Sequence, residues 1–374
     1  MYSRKLYATM TYDKNNNPAE ELWALEEVTG KGKGLIAKVD IDIGTLVMKD
    51  SAVMVVNHDF MLKERVARNM WNEKFIAVVW LELIFTCGIL VMIYNTLPIV
   101  AAILIVISWK RIYRNILRTK SFIHFHISWN QITKQVRKLS TSTKCLFLQL
   151  QNVFSYKDPY QAWLGIFCTN SFQLDDSCSG LFLKAARLNH SCRANCDYSI
   201  HNSVMEVRAT RPVKQGEELN ICYNNFLDEN GPVERNERRD YLQWAYRFHC
   251  NCEDCSLSSS ASRTNDQMRQ RVVKLRIDWT LTQDYGKERR IVDEQIGLLR
   301  KLDSCGKQEQ LLQAVECGWE GEKLQHERTG HHDKARAQAL AKLGTKLSQM
   351  FLGHESDAVR EWKDRQHICK SSSE

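Results

Sequence analysis

Between residues 22 and 56 apolar and polar positions alternate or run in short stretches (LWALEEV, LIAKV, TLVM, AVMVV), separated by Gly30, Gly32, Gly34, Gly44 and Asp/Lys turns. A period of two interrupted by turn residues predicts a small antiparallel β unit. Residues 57–74 are polar and read as helix. Residues 131–165 also read as helix and lead into GIFCTNSF. Alternation returns from Leu181 to Tyr223, where VMEVRA and ELNICY read as strands with Leu219, Ile221 and Tyr223 on one face. After Cys255 the Ser-rich SLSSSASR reads as a linker. The remainder is charged and helical, with Val292, Ile296 and Leu299, then Leu340, Leu343, Leu347 and Phe351, at helical spacing. No strict 34-residue consensus recurs there, so a tetratricopeptide-like tail rests on helix spacing alone.

One stretch breaks both periods. From Leu83 to Trp109 there are 27 uncharged residues, and Glu82 is the only charge in 75–109. As helix, such a stretch is about 40 Å long, enough for the ~30 Å of a bilayer's hydrocarbon. Lys110, Arg111, Arg114, Arg118 and Lys120 follow it in the manner of a cytoplasmic border.

Composition changes this picture in two ways. The chain has 374 residues, 44% hydrophobic and 26% charged, a globular balance with material for two or three domains. Its net charge of +8 is local. Residues 1–74 carry 11 basic and 11 acidic groups, 110–144 carry 9 basic and no acidic groups, and beyond 144 the 32 of each sign cancel. Nucleic-acid binding therefore loses the support that a basic chain would lend it. Thirteen cysteines and an opening, MYSRKLYATM, without a signal-peptide pattern predict a reducing compartment, where clustered cysteines point to metal before disulfides.

The sharpest cluster is CNCEDC, with Cys250, Cys252 and Cys255. Three thiolates so close fit three corners of a Zn²⁺ tetrahedron at ~2.3 Å per bond, and three buried free thiols would share the same spacing. The second signal is RLNHSCRANC, residues 187–196, whose Asn189-His190 pair also reads as a hydrogen-bonded core element. The third is VKQGEELNICY, residues 213–223, a turn at Gly216 and a strand ending at Tyr223.

In this order the three resemble the SET-domain protein lysine methyltransferases, closest to the SET-and-MYND (SMYD) group and its fungal relatives without the MYND finger. KGKGLIA, Lys31 to Ala37, resembles the family's first cofactor motif, and TNSF, Thr169 to Phe172, its mid-domain cofactor segment. YRFHCNCEDC, Tyr246 to Cys255, resembles the post-SET aromatic and zinc segment. The resemblance covers about 22–74 and 131–256. It implies an α+β SET fold with a pseudoknot and a post-SET zinc site, followed by a helical tail, and S-adenosylmethionine and Zn²⁺ as cofactors. It implies that backbone around Lys31, Lys33 and Gly34, with the Asn170 side chain, holds the cofactor's amino-acid portion, and that backbone at Asn189 and His190 holds its adenine. Tyr223 matches the catalytic tyrosine, while Phe172, Tyr246 and Phe248 match channel and cofactor-stacking aromatics. Cys192 is implied as the fourth zinc ligand, with Cys196 as a rival. The implied partner is a protein bearing a target lysine, histone or non-histone, in nucleus and cytoplasm, without direct nucleic-acid binding.

The pattern departs from the family at Lys33, where Asn or Ser is usual, and at RAN, Arg193 to Asn195, which keeps Asn195 but lacks the usual proline. No MYND-type Cys/His array occurs. The expected layout is a tail at 1–21, SET portions at 22–74 and 131–228, an apolar then basic insert at 75–130, a post-SET segment at 229–256 and a helical domain at 257–374. A single crossing of a membrane by 83–109 would part the Lys33 strand unit from Asn189, His190 and Tyr223, and 99–109 is too short for a return span. A re-entrant or monotopic membrane hairpin, a surface-packed helix and translated non-coding sequence remain as readings. The acid-free flank and the resumption of family pattern at QITKQVRKL favour the last. Sequencing of the mature transcript tests it: codons for 75–127 are expected to be missing, and their presence excludes that reading.

Overall fold

The computed structural model describes residues 22–57, 130–154, 159–175, 177–224, 226–227, 231, 233–302, 307–331, 333–353 and 356–371. The chain divides into two compact units, Met1–Ala52 with Phe182–Glu374, and Val53–Leu181.

The first unit opens with the antiparallel hairpin β1 (Trp23–Val28) and β2 (Gly32–Ala37). Gly30 and Gly32 turn it at φ of 76° and 74°, a region that costs a side chain energy and glycine almost nothing. The expected β unit at 22–56 is therefore present, but its strands spread over three sheets. β3 (Leu46–Ser51) joins another sheet, and β4 (Met54–Asn57) belongs to the second unit. Alternation fixes which face of a strand is buried, and it says nothing about the neighbour that buries it.

Later in the chain come β7 (Asn189–His190), β8 (Cys196–His201), β9 (Val204–Ala209) and β10 (Glu218–Ile221). In the first sheet, β2 pairs antiparallel with β10, and β10 pairs parallel with β7, in the order β1-β2-β10-β7. Leu35, Ala37, Leu219 and Ile221 are its fully buried apolar residues. In the second sheet β9 lies between β3 and β8. The VMEVRA alternation holds there, with Met205, Val207 and Ala209 all completely buried. Asn202 and Ser203, both at positive φ, close the two-residue β8–β9 hairpin.

The chain after β7 is locked against β10 by a reciprocal amide pair. Asn195 N donates to Asn220 Oδ1 at 3.1 Å, and Asn220 N donates to Asn195 Oδ1 at 2.9 Å. Asn195 Nδ2 also donates to Glu218 O at 2.8 Å. This amide holds the crossing where the family usually has a proline beside it. The parallel β7–β10 pair and these side-chain amides tie the two connections side by side.

The second unit holds the antiparallel sheet β4, β6 (Cys178–Leu181), β5 (Ser171–Gln173), in that order. Its helices are α1 (130–138), α2 (Thr141–Leu148) and α3 (Pro159–Asn170). The helix expected over 131–165 is interrupted at 149–154. There Asn152 Oδ1 takes the Phe154 N–H at 3.0 Å, a local bond that competes with helix. Gln135 treats the sheet edge as a strand would: its Oε1 accepts from Val55 N at 3.1 Å and its Nε2 donates to Val55 O at 2.7 Å. Ile132, Val136, Phe147, Leu164 and Leu181 are fully buried.

The C-terminal region of the first unit is helical: α4 (Arg235–Tyr246), α5 (Ser259–Leu281), α6 (Tyr285–Lys301), α7 (Lys307–Thr329), α8 (Lys334–Leu352) and α9 (Asp357–Ser371). From α5 onward each packs on the next, around Val292, Leu299, Val315, Ala341 and Trp362. The Ser-rich linker expected after Cys255 is instead the start of α5. Ser258 caps it, its Oγ taking the Ala261 N–H at 3.3 Å, and 259–263 are helical. A serine run that suits a loop also suits a helix N-terminus.

Among the described residues no helix is long and apolar enough to cross a membrane. The apolar run at 83–109, its basic flank and the polar segment after Asn57 lie outside the described residues.

Gly344 of α8 lies under the Trp362 ring, where a Cβ would overlap the ring carbons. Gly344→Ala is expected to lower stability by about 1–3 kcal/mol, measured by chemical denaturation, because this interface is already filled.

Candidate active site and four-cysteine centre

Helix α4 ends in a left-handed cap at Arg247, φ 61°, which swings the chain so that Tyr246 and Phe248 stand on either side of the bend. Cys250, Cys252 and Cys255 follow within one short loop. Cys192 comes from the opposite direction, two residues beyond β7. The four sulfurs lie within 4.8 Å of one another, with Cys192 Sγ 3.6 Å from Cys255 Sγ and 4.0 Å from Cys250 Sγ. A tetrahedron with ~2.3 Å metal–sulfur bonds has edges of about 3.8 Å, so the donor set and its spacing fit Zn²⁺. Cys196 is not in the group. It lies in β8 opposite Ala209, and burial pushes its thiol up to about 12. An exposed ion pair, Arg193 to Glu253 at 2.6 Å, spans the same two segments. Such a pair contributes little energy and does not hold the segments together.

Behind the cysteines is a buried charge cluster. Arg238 of α4 and Arg269 of α5 share the Asp254 carboxylate, Arg238 also meets Asp266 at 3.0 Å, and Asn265 donates to Asp254 at 2.5 Å. Both guanidinium groups are essentially inaccessible.

Tyr223 follows β10 directly. Its hydroxyl donates to Leu188 O at 3.0 Å. Rings surround it: Tyr246 with centroids 4.8 Å away, His190 at 5.3 Å and Phe248 at 6.3 Å, the last edge to face. Burial, with Glu218 nearby, pushes the Tyr223 phenol above its ordinary range, and burial does the same to Tyr246. His190 is enclosed by Tyr223, Phe226 and Phe248. Its Nδ1 lies 3.1 Å from Tyr223 N, and its Nε2 lies 3.3 Å from Cys192 Sγ. Burial lowers its basicity, against the opposing pull of Cys250.

Beside this cluster, Asn189 Nδ2 donates to Glu218 Oε1 at 2.8 Å and to Lys33 O at 3.3 Å. Lys31 Nζ pairs with Glu218 Oε2 at 2.5 Å. At Gly34 a Cβ would sit 2.7 Å from the Val28 side chain and 2.8 Å from the Asn189 amide, so any side chain there would push into the Asn189–Glu218 contact. β7 is the outer strand of its sheet, and Ser191 N bonds Ile221 O, which turns the His190 N–H and C=O to the outer side. One donor and one acceptor side by side on this outer strand suit a purine.

The structure thus brings Lys31, Lys33, Gly34, Asn189, His190, Tyr223, Tyr246, Phe248 and the four cysteines together in one unit. Asn170 and Phe172 belong to the other. Asn170 closes α3, donating to Ile166 O and Gln151 O at 2.7 Å each, and Phe172 pairs with Gly180 across β5 and β6. Sequence reading did not single out Glu218. The signal was present in GEEL, whose second acid opens the strand that ends beside Tyr223.

Residues 32–224, just over half of the chain, match the SET domain family, and the chain belongs to it. It is similar to histone-lysine N-methyltransferase SMYD3 of Mus musculus, 34% identical over 103 residues, 26% of this chain and 23% of that protein. It is also similar to histone-lysine N-methyltransferase set5 of Schizosaccharomyces pombe, 27% identical over 136 residues, 36% of this chain and 41% of that one. The matched stretches are therefore less than half of these relatives' length. Among solved structures, the SET domain of LSMT bound to lysine and AdoHcy aligns over 95% of this chain and 88% of that one, at 15% identity and a TM-score of 0.30.

Purified chain is expected to carry one zinc per molecule by elemental analysis. Cys192→Ser loses it on dialysis against a mild chelator and Cys196→Ser retains it; the reverse result would assign the fourth corner to Cys196.

Proposed function

We propose that the chain is an S-adenosylmethionine-dependent protein-lysine N-methyltransferase. The observation that carries this reading is the surroundings of Tyr223: a buried phenol tied to Leu188 O, flanked by Tyr246 and Phe248, with its main-chain N–H bonded to the His190 ring of the outer strand. The cofactor, when bound, supplies an electrophilic methyl on a sulfonium cation.

The protein's own groups have three tasks. The Tyr223 hydroxyl spends its proton on Leu188 O, so its oxygen lone pairs face outward as acceptors for a lysine amine N–H. That bond turns the amine lone pair toward the reacting carbon, an orientation effect. The rings of Tyr246 and Phe248 withhold water, which lowers the pKa of an entering lysine from near 10.4, and their faces tolerate the cation that forms on the amine. The third task is holding the cofactor. Backbone at Asn189 and His190 suits its adenine, and the hairpin at Lys31, Lys33 and Gly34 lies next to that edge through Asn189. Asn170 and Phe172 take their cofactor and channel roles from the motif resemblance alone.

The names of the relatives make histones the first substrate to test, with non-histone proteins as the alternative. Nucleus and cytoplasm are the proposed location, and the proposed helical domain at 257–374 is tetratricopeptide-like in its pairwise packing.

With labelled cofactor and histones or cell extract, Tyr223→Phe is expected to cut methyl transfer by about 10²-fold while calorimetry finds cofactor binding little changed. Equal activity removes Tyr223 from the mechanism, and wild-type chain that binds no S-adenosylmethionine makes the protein an interaction scaffold. Because Tyr223 stays protonated past its usual ~10, turnover should rise with pH as the substrate amine deprotonates, without a falling limb from phenol ionisation below about pH 10.

A further inference from the structure

We propose that the His190 side chain is a positioning residue, a rigid bridge that fixes the Tyr223 main chain to the four-cysteine centre. Only its catalytic consequence rests on the methyltransferase reading. A backbone amide can donate and never accept, so the 3.1 Å contact between Tyr223 N and His190 Nδ1 means that Nδ1 carries no proton. The ring proton is then on Nε2, which points at Cys192 Sγ 3.3 Å away. A metal-bound cysteine is a thiolate and can only accept, so both ends of the imidazole are matched to their partners. The ring is 4% exposed and enclosed by three aromatic rings, so water cannot replace either bond.

This linkage is separate from the residue's main chain, which faces the open strand edge. β10 ends at Ile221, and Tyr223 lies beyond its last ladder position. Without His190 the Tyr223 N–H has no strand partner, and the tyrosine would be placed by chain continuity alone. With it, the position of Tyr223 follows that of Cys192 through one planar group. The N–H···S bond also draws charge from the thiolate, as outer-shell donors do at metal centres.

Three measurements on the full chain test the bridge. In wild type labelled with nitrogen-15 histidine, His190 is expected as the neutral tautomer with the proton on Nε2; the other tautomer overturns the proposal without any variant. With cobalt(II) in place of zinc, His190→Asn keeps an acceptor for Tyr223 at the δ position and nothing opposite Cys192. Its sulfur-to-cobalt band should move to lower energy and its cysteines should alkylate faster. His190→Gln, which reaches the ε position with an amide donor, should restore both towards wild type. An unchanged band and unchanged alkylation in folded His190→Asn overturn the proposal. In turnover, His190→Gln strands the Tyr223 N–H and should lower kcat about tenfold or more with KM for S-adenosylmethionine held within about twofold. A wild-type chain without methyl transfer removes the enzyme reading, and the tautomer and cobalt measurements still decide the bridge.

Discussion

Convergence of four sulfurs from two stretches of chain is the constraint on which the site depends. Cys192 and Cys250 are 58 residues apart, and nothing in their local sequence requires them to meet. Closing a loop of that length has an entropic cost that grows only slowly with its size, and metal–thiolate bonding can offset it where an exposed ion pair such as Arg193–Glu253 cannot. Once the sulfurs meet, Tyr246 and Phe248 have no choice of position, since they stand four and two residues before Cys250 on either side of the left-handed cap at Arg247. The aromatic lining of Tyr223 is thus a by-product of the cysteine geometry.

The strand side of the site is built from amides and carboxylates. Asn195 and Asn220 exchange buried bonds and Asn189 leans on Glu218 in a part-buried one, while Lys31 reaches Glu218 from the exposed side. Buried polar groups are costly unless satisfied, so this network specifies one register between β2, β10 and β7 more sharply than the apolar Leu35, Leu219 and Ile221 could. Apolar side chains tolerate sliding; paired amides do not.

What could be read from sequence follows from how local each signal is. The CNCEDC triplet, the Asn189-His190 pair and the strand ending at Tyr223 are short motifs whose chemistry is carried by neighbours. Cys192 as the fourth corner needed the family resemblance, because spacing alone left Cys196 equally eligible. The partners of long-range contacts were not legible: the Gln135 clamp on Val55 spans 80 residues, and the Lys31–Glu218 pair spans 187. The serine run after Cys255 misled because capping and turn formation use the same hydroxyl chemistry. Arg269 sits in the charged helical tail and Arg238 in the segment before the cysteines, and only the fold shows them buried.

That last pair has a consequence for how the molecule can be divided. Asp254 lies among the cysteines, while Arg269, Asp266 and Asn265 lie in α5, the first helix of the tail. A buried ion pair that loses one partner costs about 3–5 kcal/mol, a large share of a domain's stability. Cutting the chain after the cysteine loop would leave Asp254 and Arg238 each short of a counter-charge in a dry interior. The SET-domain part and the helical tail are therefore not modules that can be exchanged freely: a tail grafted from elsewhere would have to bring its own arginine and aspartate to the same two places.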